Sequence, residues 1–260
     1  MKKTLTLAAT LLGAISCHAA SIEPYVRHQN LSDSYSDTDA VGVRLQIPDV
    51  GPVSSFVVGL ESKRWKGIEP DSSGTSVDAA AYYNLGASWW GATQVQLGSS
   101  ALYPRSTLYQ EFNYRAGPSG NLALGVGGGY QDFWNSGSTG FVTLGPIYYF
   151  SGGNIGYKYT DYSAAGNWMQ ALTGEAQLSS ALSVSGALRG GVGAYTATVI
   201  NGLPTRADVQ TREWELGLRY HPDGRFEWMV KVGGSQVDDR PTGQRMYRTQ
   251  DVTLGVKASW

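Results

Sequence analysis

The chain alternates. In Val41-Gly42-Val43-Arg44-Leu45-Gln46-Ile47 one parity is apolar and the other is small, charged or polar. From Arg212 to Tyr220, Trp214, Leu216, Leu218 and Tyr220 share one face, and Glu213, Glu215, Gly217 and Arg219 share the other. Phe226, Trp228, Val230 and Val232 oppose Glu227, Met229, Lys231 and Gly233. Val252, Leu254, Val256, Ala258 and Trp260 oppose Thr253, Gly255, Lys257 and Ser259. A period of two marks a β-strand, because successive side chains point to opposite faces. The pattern predicts strands near 22–30, 38–47, 53–65, 76–84, 89–99, 106–115, 121–133, 138–150, 154–162, 168–178, 182–195, 208–220, 225–235 and 248–260.

A soluble sandwich also alternates, so the connections decide the class. Short gaps fall at 48–52, 85–88, 116–120, 151–153, 179–181 and 221–224, and longer ones at 66–75, 100–105, 196–207 and 236–247. Short turns at one end, longer loops at the other and an even strand number are the topology of an outer-membrane barrel. The expected fold is all-β: a single antiparallel transmembrane β-barrel with short periplasmic turns and longer outer loops. It has fourteen strands, or twelve if the weak segments near 134–138 and 163–170 are misread. One barrel takes the whole of residues 21–260.

Residues 1–20 read differently. Lys2 and Lys3 precede an apolar run, Leu5 to Ile15, too short for a stable span, and small residues follow at Cys17, Ala19 and Ala20. This is the pattern of a secretory signal peptide cut after Ala19 or Ala20. Lipidation at Cys17 would call for Leu three positions earlier, where Ala14 stands. Without Cys17 the mature chain has no cysteine, and a closed sheet must hold it together in place of disulfides. The expected location is the cell outer membrane of a Gram-negative bacterium, in contact with its lipid and lipopolysaccharide.

Composition narrows the picture. The formal net charge is −1, and the loss of Lys2 and Lys3 makes it −3, which gives no basic face for a nucleic acid. With 34 Gly, 16 Tyr and 8 Trp, the chain suits a sheet with one greasy and one wet face. Trp65, Trp89, Trp90, Trp134, Tyr148, Tyr149, Trp168, Tyr220, Trp228 and Trp260 fall near strand ends, where interfacial girdles collect such rings.

Parity also yields a lumen. Arg44, Glu61, Lys63, Glu111, Arg115, Lys158, Glu175, Arg189, Glu213, Glu215, Arg219, Glu227, Lys231 and Lys257 lie on the polar parity. A lysine or arginine facing lipid at mid-depth costs about 2–4 kcal/mol, so these side chains are expected to face inward. Their signs are mixed. They could pair across the lumen and plug it, or line a water-filled path that screens a polar solute. A strongly anion-selective pore would show a one-sided basic ladder, which is not seen. Inward Gln94, Gln96 and Tyr109 would suit a hydroxyl-rich ligand.

The last strand carries Thr253-x-Gly255-x-x-Ala258-x-Trp260, which resembles the signal read by the barrel assembly machinery. An unpaired strand with one apolar face is a template for β-addition.

The search for chemistry finds little. A serine–histidine site needs a His beside its Ser. The mature chain offers His28, near Ser32 and Ser34, and His221, in the turn His221-Pro222-Asp223-Gly224. Asp238-Asp239 read as a solvated outer loop beside Arg240, Arg245 and Arg248, with Asp33, Asp37 and Asp39 as a counterpart in the first outer loop. Carboxylates so spaced make no defined metal site, and zinc would need a His/Cys set that is not present. Gly127-Gly128-Gly129 sits in a strand pattern and precedes no helix, so it is no phosphate loop. It reads as room for a bulky lumen neighbour. No catalytic residue, metal or cofactor is assigned.

Pro104-Arg105, Gln110-Glu111-Phe112-Asn113, Gly145-Pro146 and Tyr157-Lys158-Tyr159-Thr160-Asp161-Tyr162 stand in an order and spacing that resemble the YaiO family of outer-membrane β-barrels. The resemblance covers roughly residues 100–165. It implies an outer-membrane location and a link to surface or exported polysaccharide, and it carries over no catalytic residue. The expected function is a non-enzymatic narrow channel or accessory component for saccharide or exopolysaccharide passage. A structural or surface-interaction barrel with a plugged lumen is the alternative, and a lipid-modifying enzyme comes third.

Overall fold

The computed structural model describes residues 20–260, apart from 33–36, 52, 67–71, 117–119, 135–136, 164–165, 194–196, 201–202, 207 and 223. Residues 1–19 of the expected signal peptide, Cys17 among them, therefore lie outside the described residues, as do Asp33, Ser34 and Asp223. Between 197 and 206 only the backbone of a small hairpin is described.

Sixteen strands form among the described residues. They are β1 (Ser21–Leu31), β2 (Thr38–Val50), β3 (Val53–Trp65), β4 (Ser72–Asn84), β5 (Trp89–Gly98), β6 (Ser106–Ala116), β7 (Leu122–Phe133), β8 (Gly137–Phe150), β9 (Gly153–Tyr162), β10 (Trp168–Ser179), β11 (Leu182–Gly193), β12 (Ala197–Ile200), β13 (Leu203–Arg206), β14 (Val209–Tyr220), β15 (Phe226–Asp239) and β16 (Arg245–Ser259). Fourteen close into one antiparallel barrel in which each strand pairs with its sequence neighbours and β16 pairs with β1. The hairpin β12–β13 stands apart, inside the connection from β11 to β14. This settles the strand number at fourteen.

The barrel's two-residue connections, from β2 to β3, β8 to β9 and β10 to β11, all lie at one end, which we call the turn end. Ser151 and Gly152 alone join β8 to β9, and Gly152 holds φ at 82°, where a Cβ would be strained. The opposite, loop end carries the segment 99–105 and the connection containing β12–β13. Three strands run further toward the loop end than the alternation indicated. β4 starts at Ser72, β15 reaches Asp239 and β16 starts at Arg245. Polar side chains there break the apolar parity, while the backbone ladder continues regardless. Asp238 and Asp239 thus belong to β15 and not to a loop, and Asp238 is buried and accepts from Gln236 Nε2 at 2.9 Å.

Every barrel strand exposes large apolar side chains on its outward parity. They include Val26 on β1, Val41 on β2, Leu144 on β8, Leu188 on β11, Leu216 on β14 and Leu254 on β16, and Leu144 is 62% exposed. A ring of this kind around the whole circumference is untenable in water and ordinary in lipid. The buried apolar core is correspondingly small. Leu31, Val209, Val237 and Tyr247 form it at the loop end, on the inner face, with Trp65 and Met246 packed against it. Trp65 is therefore part of an inner cluster and not of an outer girdle. The same correction applies to Trp90, which stacks under Arg115 at 5.6 Å, and to Tyr149, which shares the inner parity of Ile147. All three sit at strand ends but on the inward parity, which position along the strand does not reveal.

Candidate functional site

The inner face is where the polar side chains meet. The ladder registers put Arg44, Glu61, Lys63, Glu111, Arg115, Lys158, Glu175, Arg189, Glu213, Glu215, Arg219, Glu227, Lys231 and Lys257 on this one face. They also bring in Glu23, Tyr25, Arg27, Asp78, Asp251 and the loop residue Tyr103. Among the described residues the inner face carries as many carboxylates as cations.

Three charged side chains act as hubs. Glu61 accepts from Arg27 Nη2 at 3.0 and 3.1 Å, from the Tyr25 hydroxyl at 2.9 Å and from the Tyr103 hydroxyl at 3.0 Å. Arg44 lies 5.1 Å from the Tyr25 ring centroid, and Lys63 4.7 Å from that of Tyr103. Tyr103 is brought there by the segment between β5 and β6, which turns inward. Ser99 and Thr75 exchange hydrogen bonds that tie the segment to β4, and Arg105 N–H donates to Asp132 O at 2.8 Å. Burial first, and then the Glu61 carboxylate, push the Tyr103 phenol well above its ordinary pKa, so it stays a donor. Together Arg27, Glu61, Lys63 and Tyr103 narrow the lumen on one side.

Glu111 is the second hub. It accepts from Lys158 and Tyr109 and, at 3.1 Å, from Asn113 Nδ2. Tyr109 stacks on Phe141 at 5.7 Å. The triple glycine sits beneath these rings: a Cβ on Gly127 would stand 2.8 Å from the Tyr109 hydroxyl, and one on Gly129 would overlap Phe141. The third hub lies at the turn end, where Arg219 bridges Glu227 and, at 3.4 Å, Glu23.

The remaining wall is more open. Thr173, Glu175, Ser183, Ser185, Ala187, Arg189, Glu215, Arg219 and Lys231 surround a lumenal recess of about 310 Å³. Lys231 reaches Glu215 at 3.3 Å, and Arg189 lies 3.9 Å from Glu213. These are loose, solvated pairs. Such an inner face offers hydroxyls, carboxylates and guanidinium forks without a net field, which suits hydrogen bonding to a neutral polar solute better than selection of one ion sign.

His28 lies elsewhere. It has the outward parity of Val26, at the loop end, and its two ring nitrogens face carboxylates: Nδ1 lies 2.7 Å from Asp39 and Nε2 3.9 Å from Asp37. On the last strand, Thr253 and Gly255 face inward, the latter against Met229, while Ala258 and Trp260 have the outward parity. The Trp260 N–H donates to Ala20 O at 3.1 Å.

Parity could have found Glu23 and Arg27, since Ile22, Pro24 and Val26 alternate with them. Asp78 follows a run of small polar residues, with three alanines after it, that hides its face. Tyr103 belongs to a loop and has no period.

No protein-family profile matches the chain, and no curated protein matches it in sequence. Its fold is shared with solved outer-membrane channels. CymD, a monoaromatic hydrocarbon channel, aligns with a TM-score of 0.60 at 7% identity, over 94% of this chain and 89% of that one. A bacterial polysaccharide outer-membrane secretin aligns at 0.56 and 9%, over 94% and 99%. An outer-membrane channel of Pseudomonas putida F1 aligns at 0.51 and 13%, over 94% and 96%. At these identities the likeness is one of fold.

Proposed function

We propose that this barrel sits in the bacterial outer membrane, turn end toward the periplasm, and forms a narrow, non-enzymatic passage for a neutral, hydroxyl-rich solute of the saccharide class. The observation that carries the reading is the inner face itself. It pairs its charges on one side, at Glu61 and Glu111, and leaves hydroxyl and loosely paired polar groups around an open recess on the other. An apolar solute would find no apolar path along these side chains, and an ion of either sign would find no one-sided ladder. The resemblance of residues 100–165 to the YaiO family supports a link to surface polysaccharide, and a barrel of the same fold is named for polysaccharide. His28 turns both nitrogens to carboxylates, which supports a role at the rim over one as a general base. On the same reading Ala258 and Trp260 present the last strand to the assembly machinery.

A barrel with a plugged lumen is the second reading. The apolar cluster of Leu31, Val209, Val237 and Tyr247 at the mouth and the inturned Tyr103 segment favour it. Single-channel recording in planar bilayers separates the two. The passage reading expects small, weakly ion-selective conductance that falls when a maltose-series or uronic-acid oligosaccharide is added. A folded, heat-modifiable protein that conducts nothing would overturn it.

A further inference from the structure

The glycines of the barrel fall into two kinds. On the inner face they are forced by a neighbour: a Cβ on Gly42 would run into the Tyr25 ring, one on Gly59 into the Asp78 carboxylate and one on Gly145 into the Tyr157 carbonyl. On the outward parity of β10 and β11 no such reason exists. Gly174 and Gly186 pair directly across the ladder, and Gly190 lies two outward positions further up β11, past Leu188. A Cβ there would meet nothing nearer than 3.5 Å at Gly174 and Gly186 and 3.6 Å at Gly190. What these glycines create is empty space outside the barrel.

That space is a groove. Its lower part, about 690 Å³, has the Gly174–Gly186 pair as its floor and Leu172, Leu188, Trp214 and Leu216 along its sides. It continues past Leu172 and Leu188 into a second hollow of about 310 Å³, lined by Trp168, Gln170, Gln210 and Arg212. The apolar part faces the lipid and the polar part lies at the loop end of the apolar band. From Gln170 to Ala176 the groove follows β10 for about 20 Å at roughly 3.4 Å per residue. At a strand tilt near 40° this is about 15 Å of depth, half the thickness of a hydrocarbon core of about 30 Å. Arg212 is exposed, and its guanidinium makes no ion pair among the described residues.

We propose that this groove is a binding site for one phosphorylated lipid of the outer leaflet, with an acyl chain on the Gly174–Gly186 floor and the phosphate at Arg212. The proposal rests on the barrel spanning the outer membrane, as argued above. A second barrel is not the occupant, because the exterior of a barrel is convex and cannot fill a trough. An acyl chain has the width that the missing side chains leave. A guanidinium beside two side-chain amides is a fitting recognition set for a phosphate.

The test is native mass spectrometry of the full-length protein in mild detergent, with added phosphatidylglycerol or the phosphate-free diacylglycerol of identical chains. Wild type is expected to retain one phosphatidylglycerol per barrel, at least fivefold more than diacylglycerol. Gly186→Leu, whose side chain enters open space, is expected to keep a heat-modifiable barrel and lose retention of both lipids about tenfold. Gly174→Leu repeats that test from the facing strand. Arg212→Gln is expected to bring the two lipids level. Undiminished retention in both folded leucine variants would overturn the groove as the site. Equal retention of the two lipids by wild type would overturn the phosphate contact, and displacement of phosphatidylglycerol by millimolar inorganic phosphate would overturn the lipid as its occupant. A wild-type protein that neither inserts into vesicles nor shows heat modifiability would overturn the membrane reading itself, a result distinct from those above.

Discussion

The wall from β1 to β9 and the wall at β10 and β11 use the same pleated strand, yet one is crowded on its inner face and the other has a groove outside and an open recess inside. In the first, Glu61 and Glu111 each gather several donors, and glycines such as Gly42, Gly59 and Gly145 yield their space to neighbouring atoms. In the second, Gly174 and Gly186 face each other with a groove outside and the Thr173–Glu175 recess inside. The contrast shows that a glycine in a barrel has two separate uses. It can make room for a brace, or it can open a groove on the outside of the wall.

The comparison can be broken most severely at Glu61. Glu61→Ala would leave Arg27 and Lys63 uncompensated and three hydroxyl and guanidinium donors without their acceptor. A loss of about 3 kcal/mol in urea-induced unfolding from lipid vesicles is expected. A change within 0.5 kcal/mol would show that the hub braces nothing. Next comes Gly145→Ala, where a methyl group must displace the Tyr157 carbonyl. Overpacking of this kind costs about 2 kcal/mol, read by the same unfolding curves. Tyr103→Phe removes one hydrogen bond to a carboxylate, so about 1–2 kcal/mol should be lost. The inturned segment should then loosen, and a passage, if Tyr103 narrows it, should conduct more. The smallest effect belongs to the wall at β10 and β11. Gly186→Ala adds a methyl group in ordinary contact range and should stay within about 0.5 kcal/mol of wild type. A cost as large as that of Gly145→Ala would erase the distinction between the two walls.

Much of this was legible in the chain. Alternation is clean over residues 213–220, 226–233 and 252–259, because outward residues there must meet lipid and inward ones need not. The fourteen-strand barrel follows from that one constraint repeated. The partners did not follow. Parity assigns Glu61 to a face but says nothing about Arg27 or Tyr25, which reach it only through the registers Gly42↔Glu61 and Tyr25↔Gly42. Tyr103 was hidden because a loop has no period. The aromatic pattern misplaced Trp65, since strand-end position and facing direction are independent. The groove was the least visible feature. It consists of side chains that are missing, and Gly174 and Gly186 become neighbours only when β10 and β11 pair.

The seam between β1 and β16 has a bearing on how the molecule comes into being. Ser21 stands opposite Ser259, and nine pairs join residues from opposite ends of the sequence. Contacts so distant along a chain form late, because a large loss of conformational freedom must precede them. Until they form, the nascent sheet has two raw edges, each able to capture a strand from another copy. The unsealed intermediate is thus the vulnerable species in this protein's life. Weakened residues at the seam, such as Val26 opposite Leu254, would be felt first as misassembly during biogenesis and only later, if at all, as a softer finished barrel.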